Sequence, residues 1–502
     1  MKKEYIFQKV DTNPTLHADL WNQIEKVTLD QQNFCEPDAP IPTVTAQAVC
    51  SVEGITVRFE SDETDPVTRY SHANQPAWLD SCVEFFFAPY EDDKKNYLNF
   101  EQSVGGALLI QKGPDAADRT YIPHEDDEFK TERQIRSNGW CIQFFIPFSF
   151  VDKHFQTMNR HFRGNFQFCC EDKGVYLTWN RIENPTPAFH KPEYFGNLSL
   201  GLNNLDMLQA ECIKYGYHTF RICEMTESGT QTRDVLPAAN ILKVYSVTKS
   251  TVALLTGMLQ DRGLLSVQDK IADYLSEYFP EDVDPKWYQV TIADVLHHRT
   301  GGSGGGQFNQ HTALYNENDQ DYLYYIFCDR LPYEIGKEIV YCESNYYIIS
   351  RIIEKITGKK TDEWALENLF NPLHFECAAW ARCPQGHTYG GDGLCLRTQD
   401  LVKLGWVYAN HGMFEGKQIV SEEWIQQATD VINVDVNGDY GFAVQHCTYM
   451  RPDEFYLSGA GDQCTVFRIG KPHALAFHSA GAGSYLGLLK KAVELLREED
   501  RI

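Results

Sequence analysis

Ser246 and Lys249, in the run Tyr245-Ser246-Val247-Thr248-Lys249-Ser250, stand one helical turn apart at the head of an apolar periodicity. Val252, Leu255 and Leu259 carry it within 250–262, and the helical pattern that opens at 245–250 puts both side chains on one face. A serine hydroxyl is a poor nucleophile near neutral pH and attacks a carbonyl only when a neighbour takes its proton. A lysine amine can do so when burial or nearby positive charge lowers its pKa, and the positive end of the helix favours negative charge developing near Ser246. S-x-x-K recurs by chance, and its bland reading is a capping serine beside a solvated lysine. Three further segments in chain order argue otherwise: a helix-then-glycine stretch over 290–302, then Tyr341-Cys342-Glu343-Ser344-Asn345, then Gly390-Gly391-Asp392-Gly393.

In this order and spacing, residues from about 205 to 502 resemble the serine β-lactamase-related (penicillin-recognising) hydrolases. That group spans class C β-lactamases, D-alanyl peptidases, esterases and nylon-oligomer hydrolases. The resemblance implies that Ser246 is the nucleophile, Lys249 its base partner and Tyr341 a proton relay, the family's Tyr-x-Asn falling on Tyr341-Cys342-Glu343. Glu343 departs from that pattern, and a carboxylate there would hold Lys249 protonated and weaken it as a base.

The third element of the family aligns best with Leu457-Ser458-Gly459, continuing into Ala460. The resemblance implies an oxyanion hole from the backbone at Ala460 and the Ser246 N–H, with Glu343, Leu457, Ser458 and Gly459 lining the substrate. Leu457 stands where a Lys or His commonly meets a substrate carboxylate, which favours an ester or amide without that group over penicillins or peptidoglycan. His478-Ser479-Ala480-Gly481 is a competing placement that restores a cation. His297 and His298 read as helix-end packing. No clustered metal-ligand spacing is visible, so neither metal nor cofactor is expected.

The first 200 residues have a different texture. Short β-rich runs alternate with turn signals, as in Ile55-Thr56-Val57-Arg58-Phe59 and Val83-Glu84-Phe85-Phe86-Phe87, and predict an antiparallel β-sandwich. Trp78, Asn99, Glu101, Gly139-Trp140, Gly164-Asn165-Phe166, Thr178-Trp179-Asn180 and Phe195-Gly196-Asn197 lie within a stretch, roughly 15–200, that resembles the family-nine carbohydrate-binding modules. The resemblance implies that Trp78 and Trp179 clamp a sugar ring, with Asn99, Glu101 and Asn165 as polar partners. The plain alternative makes both tryptophans core anchors.

At 502 residues the chain exceeds one ordinary core, and the turn-forming Gly201-Leu202-Asn203-Asn204 suggests domains 1–203 and 204–502. The fold class expected is therefore multidomain: an antiparallel β-sandwich followed by an α/β β-lactamase-like serine hydrolase domain. Lys+Arg 45 against Asp+Glu 70, a formal charge of −25, argues against nucleic acid or an anionic membrane as partner. No run of 18 apolar residues occurs, no secretion signal opens the chain, and fifteen scattered cysteines fit free thiols in a reducing cytoplasm. The function expected is acylation of Ser246 by a small ester or amide, with a carbohydrate on the sandwich as a further ligand. The rivals are a β-lactamase or D-alanyl peptidase, and a binding protein that has lost catalysis.

Overall fold

The computed structural model describes residues 2–90, 96–155, 158–304, 320–435, 438–481, 485–498 and 500. The chain forms two compact units, Met1–Tyr215 and Gly216–Ile502. The helix Asn204–Tyr215 follows the expected turn, but Lys9 reaches Asp206 at 2.7 Å and Lys214 reaches Asp152 at 2.8 Å. These buried-carboxylate contacts tie the helix to the sandwich, so the units divide after Tyr215 rather than after Asn203.

In the first unit, strand Glu4–Lys9 joins two sheets. Its first residues pair in parallel with Gly196–Leu200, and Gln8 and Lys9 pair in parallel with Val44–Cys50. The remaining pairings described in this unit are antiparallel. Aromatic side chains fill the space between the sheets: Phe100 stacks on Phe144 at 6.0 Å and Phe59 meets Phe166 edge-on at 6.1 Å. Each such ring contributes roughly 1.5–3 kcal/mol by leaving water.

Strand Cys82–Ala88 is buried along its whole length. Side chains alternate across a strand, so Phe85 and Phe87 face the intersheet core while Cys82, Glu84 and Phe86 face the other way. There Phe86, Tyr97, Phe195 and Ile182 make a second apolar cluster, with half-buried Trp78, Tyr70, Tyr176 and Tyr194 against it.

The second unit is built on an eight-stranded sheet whose described pairings are antiparallel. Its order runs from Gly229–Asp234 through Thr219–Thr226, Lys471–Ser479, Gln463–Arg468 and Glu454–Gly459 to the short strands ending at Ile432–Asp435. Helix Thr398–Ala409 packs on the sheet, where Tyr408 stacks on Phe467 at 5.3 Å. Helix Val247–Asp261 is buried from Val247 to Leu259, against helices Glu343–Thr357 and Glu422–Ala428 and strand Glu454–Gly459. A helix buried on every side, its polar Lys249 included, needs such an enclosure. It holds the helix start fixed relative to all three neighbouring elements.

Candidate active site

Ser246 opens the buried helix, but its side chain makes no capping hydrogen bond. Lys249 Nζ lies 3.0 Å from Ser246 Oγ instead, and Lys249 is fully buried, so the reading of a capping serine beside a solvated lysine does not describe this fold. Tyr245, just before the serine, has φ +47°, a left-handed conformation that costs a non-glycine residue about 1–3 kcal/mol. The chain turns sharply there to present Ser246 at the surface of the enclosure.

Strand Glu454–Gly459 comes in from the other side. A Cβ on Gly459 would stand 2.1 Å from the Val244 carbonyl oxygen and 3.0 Å from the Ser246 nitrogen, so only glycine allows the strand to lie this close. The backbone leading to exposed Ala460 thereby borders the Ser246 N–H. We expect Gly459→Val to destabilise the second unit by about 1–3 kcal/mol through overpacking. It should also slow covalent labelling of Ser246 severalfold, measured by denaturant melts and intact mass; unchanged stability would mean that the strand is not held against the serine.

Three groups surround Lys249 besides Ser246. Both Glu343 carboxylate oxygens accept from Nζ, at 3.0 and 2.9 Å, and the Gly391 carbonyl oxygen accepts at 2.7 Å. Nζ also lies 4.8 Å from the Tyr341 ring centroid. Gly391 is a glycine for a local reason: a Cβ there would be 2.6 Å from Glu343 Oε2. Tyr341 is 46% exposed, the accessible member of the group.

Of the two influences expected on Lys249, burial and a carboxylate at position 343, the second prevails. Burial does oppose the charge on Lys249, but the Tyr341 and Glu343 side chains outweigh it and hold the amine above its ordinary range. At rest Lys249 is an ammonium. Burial pushes the Glu343 carboxyl upward against the pull of Lys249, with Asp392 adding to the rise. Because both carboxylate oxygens bond the ammonium, the direction for Lys249 governs the pair: the proton sits on nitrogen and Glu343 is its counter-ion.

His298 belongs to this site, although helix-end packing was all the sequence suggested for it. It is buried, has φ +58°, and its ring lies 4.5 Å from that of Tyr341. The Cys342 N–H and Asn345 Nδ2 both point at Nδ1, at 3.3 and 3.1 Å, so we assign Nδ1 as acceptor and the proton to Nε2, which faces Tyr440 Oη at 3.3 Å. Burial, then Lys249, then His297 depress its basicity far below the usual range, which keeps the ring neutral. His298 thus fixes the segment that carries Tyr341. Its place just after the helix Ile292–Leu296 and the polar Asn345 downstream were the only signals in the sequence.

Other expected residues lie elsewhere. Leu457 is wholly buried in the apolar core rather than lining a substrate site, because alternation along its strand turns it inward. Ser458, half-buried, bonds Gln445 Oε1. His478 is buried two strands away, sharing Nδ1 with Thr398 Oγ1 at 2.8 Å, and burial lowers its pKa to about 3, so it supplies no cation beside Ser246.

In the first unit Trp179 is 2% exposed and meets Phe166 edge-on at 5.6 Å, so it is a core anchor and not half of a sugar clamp. Asn165 is likewise structural, exchanging two hydrogen bonds with the Asn180 backbone at 3.0 and 2.8 Å. Trp78 is half-buried and remains available on one side.

Residues 232–493, just over half of the chain, match the Beta-lactamase family, and the chain belongs to that family. Residues 15–200 match Carbohydrate-binding family 9. One relative, from Escherichia coli (strain K12) and assigned as a D-alanyl-D-alanine carboxypeptidase, is 24% identical over 213 residues, covering 38% of this chain and 49% of that protein. The N-acetylmuramyl-L-alanine amidase of Bacillus subtilis (strain 168) is 25% identical over 151 residues, 29% of this chain and 33% of that one. The chain therefore spans less than half the length of these relatives. Among solved structures, one from Bacillus anthracis assigned as a 6-aminohexanoate-dimer hydrolase superposes with a TM-score of 0.50 at 12% identity, over 58% of this chain and 82% of that one, a likeness of fold.

Proposed function

We propose that the second unit is a serine hydrolase that forms an acyl-enzyme on Ser246 with a small ester or amide. The observation that carries the reading is the contact of Lys249 Nζ with Ser246 Oγ at 3.0 Å inside a buried cage closed by Glu343 and Gly391. In the form of the site in which Lys249 has lost its resting proton to water, Ser246 Oγ attacks the carbonyl carbon and its proton passes to the Lys249 amine. The Ser246 N–H and the backbone at Ala460 receive the developing oxyanion. Tyr341, exposed beside Lys249, gives its phenolic proton to the leaving group and takes back the serine proton held by Lys249, which restores the amine, and water then repeats the sequence on the acyl-enzyme.

A buried Leu457 leaves that strand without a cation for a substrate carboxylate. This supports esters and amides lacking one, although a D-alanyl-D-alanine carboxypeptidase and an N-acetylmuramyl-L-alanine amidase stand among the relatives. Free cysteines throughout support a cytoplasmic setting. Among the described residues no helix is long and apolar enough to cross a membrane. The face bearing Trp78 is where a carbohydrate would dock on the first unit.

The test is intact-protein mass after exposure to a fluorophosphonate, followed by peptide mapping. One adduct, mapped to Ser246, is expected. An unmodified protein would move the assignment to a binding protein without catalysis, and an adduct elsewhere would reject Ser246. A panel of short-chain esters, D-residue peptides and a chromogenic cephalosporin then separates esterase from peptidase and β-lactamase.

A further inference from the structure

No metal-ligand pattern is visible along the sequence of the sandwich, but folding creates one. Cys82 and Glu84 are two residues apart on strand Cys82–Ala88 and therefore share a face. Cys169, on the neighbouring antiparallel strand His161–Cys170, stands directly opposite Cys82. Together they place two sulfurs and a carboxylate oxygen within 4.8 Å of one another, all three side chains buried. Cys169 Sγ donates to Glu84 Oε1 at 3.2 Å and approaches the Trp78 carbonyl oxygen at 3.6 Å.

We propose that Cys82, Cys169 and Glu84 bind one thiophilic divalent cation, with zinc the natural occupant. A tetrahedral zinc holds sulfur at about 2.3 Å and carboxylate oxygen at about 2.0–2.2 Å, which sets its ligand atoms roughly 3.5–3.8 Å apart. The observed spacing reaches this with small side-chain rotations. Two thiolates and a carboxylate carry one negative charge more than the cation neutralises. Arg119 offsets it: its field reaches Glu84 and Glu101, while its Nε is engaged with Gln111 Oε1 at 3.1 Å and its guanidinium lies over Tyr97 at 4.7 Å.

Glu101 stands directly across from Glu84 on strand Tyr97–Ser103 and accepts from Asn99 Nδ2 at 2.6 Å, so it is fixed as an outer carboxylate rather than a fourth ligand. Three protein ligands leave one coordination position open. The alternative, simple packing, would place a carboxyl in an apolar cluster with a thiol as its bonded partner, a costly use of a position where valine would fit. Binding there would cross-link two central strands beneath Trp78.

The experiment uses the full chain, stripped with a chelator and titrated with cobalt(II), reading the sulfur-to-cobalt charge-transfer band. We expect one equivalent, displaced by zinc. The band should be lost in Cys82→Ser and in Cys169→Ser and weakened at least about tenfold in affinity by Glu84→Gln. Cys223→Ser, in the other unit, should leave it unchanged. Absence of the band from folded wild type, or its survival in both serine variants, overturns the site. Should either serine variant fail to fold, cadmium NMR of the wild type decides. A single resonance of mixed sulfur and oxygen ligation supports the proposal, and no resonance or an all-oxygen one overturns it.

Discussion

Ser246→Ala is expected to lower kcat by roughly 10³- to 10⁶-fold on whichever ester or amide the wild type turns over, and to abolish the fluorophosphonate adduct. The fold should be unaffected. Ser246 Oγ does not cap its helix, so its removal deletes no capping bond, and Lys249 Nζ keeps Glu343 and the Gly391 carbonyl as partners. The change in melting free energy should accordingly lie within about 0.5 kcal/mol, the range of substitutions away from packing or capping features. This makes Ser246 a cleaner test than Lys249, whose removal would leave Glu343 facing a cavity with no counter-ion and confound chemistry with folding. Residues acting as one unit are also non-additive, so Lys249→Met on top of Ser246→Ala should cost nothing further in kcat. Turnover by Ser246→Ala within tenfold of the wild type would end the assignment of Ser246 as nucleophile.

The parts of this arrangement that were legible in the sequence share one property: they are local. Ser246 and Lys249 meet because a helix brings residues three apart onto one face, which spacing alone reveals. The sandwich and the mixed second unit follow from alternation and helical periodicity over short windows. What was not legible depends on contacts between distant segments. Glu343 and Gly391 reach Lys249 from segments 94 and 142 residues away; only the family resemblance pointed to Glu343, and nothing local pointed to the Gly391 carbonyl as a partner of Nζ.

Trp179 illustrates the same limit, since its type and spacing suit a sugar clamp equally well whether it faces solvent or, as it does, Phe166. Leu457 read correctly as lacking charge, yet only the register of its strand against Thr465 and the helix beside it puts it in the core. His298 was passed over because a histidine after a helix is ordinary; its role appears only with Cys342, Asn345 and Tyr440 around it. The cysteines of the sandwich behave likewise: Cys82 and Cys169 are far apart in the chain and neighbours in the sheet.

Glu343→Gln should move the pH dependence of kcat/KM, and its direction can be worked out from the cage. Burial alone would lower the pKa of Lys249, and only Tyr341 and the Glu343 carboxylate hold it up. Glutamine keeps the shape and one acceptor oxygen for Nζ but removes the charge, so the pKa of Lys249 falls. If the competent form of the site is the one in which Lys249 is an amine, kcat/KM of the wild type rises with pH through and beyond neutrality, because the ammonium dominates there. In Glu343→Gln the rising limb moves to lower pH. Since kcat/KM climbs with pH along that limb, its value near pH 7 should increase. A profile that keeps its position while falling uniformly would mean instead that Glu343 itself receives the proton Lys249 gives up, and an unchanged profile would remove Glu343 from the chemistry altogether. Glu343→Asn separates charge from reach: it also removes the charge but is one methylene shorter, so it should reproduce the displaced limb with a lower plateau if the oxygen facing Nζ matters for holding Lys249 against Ser246.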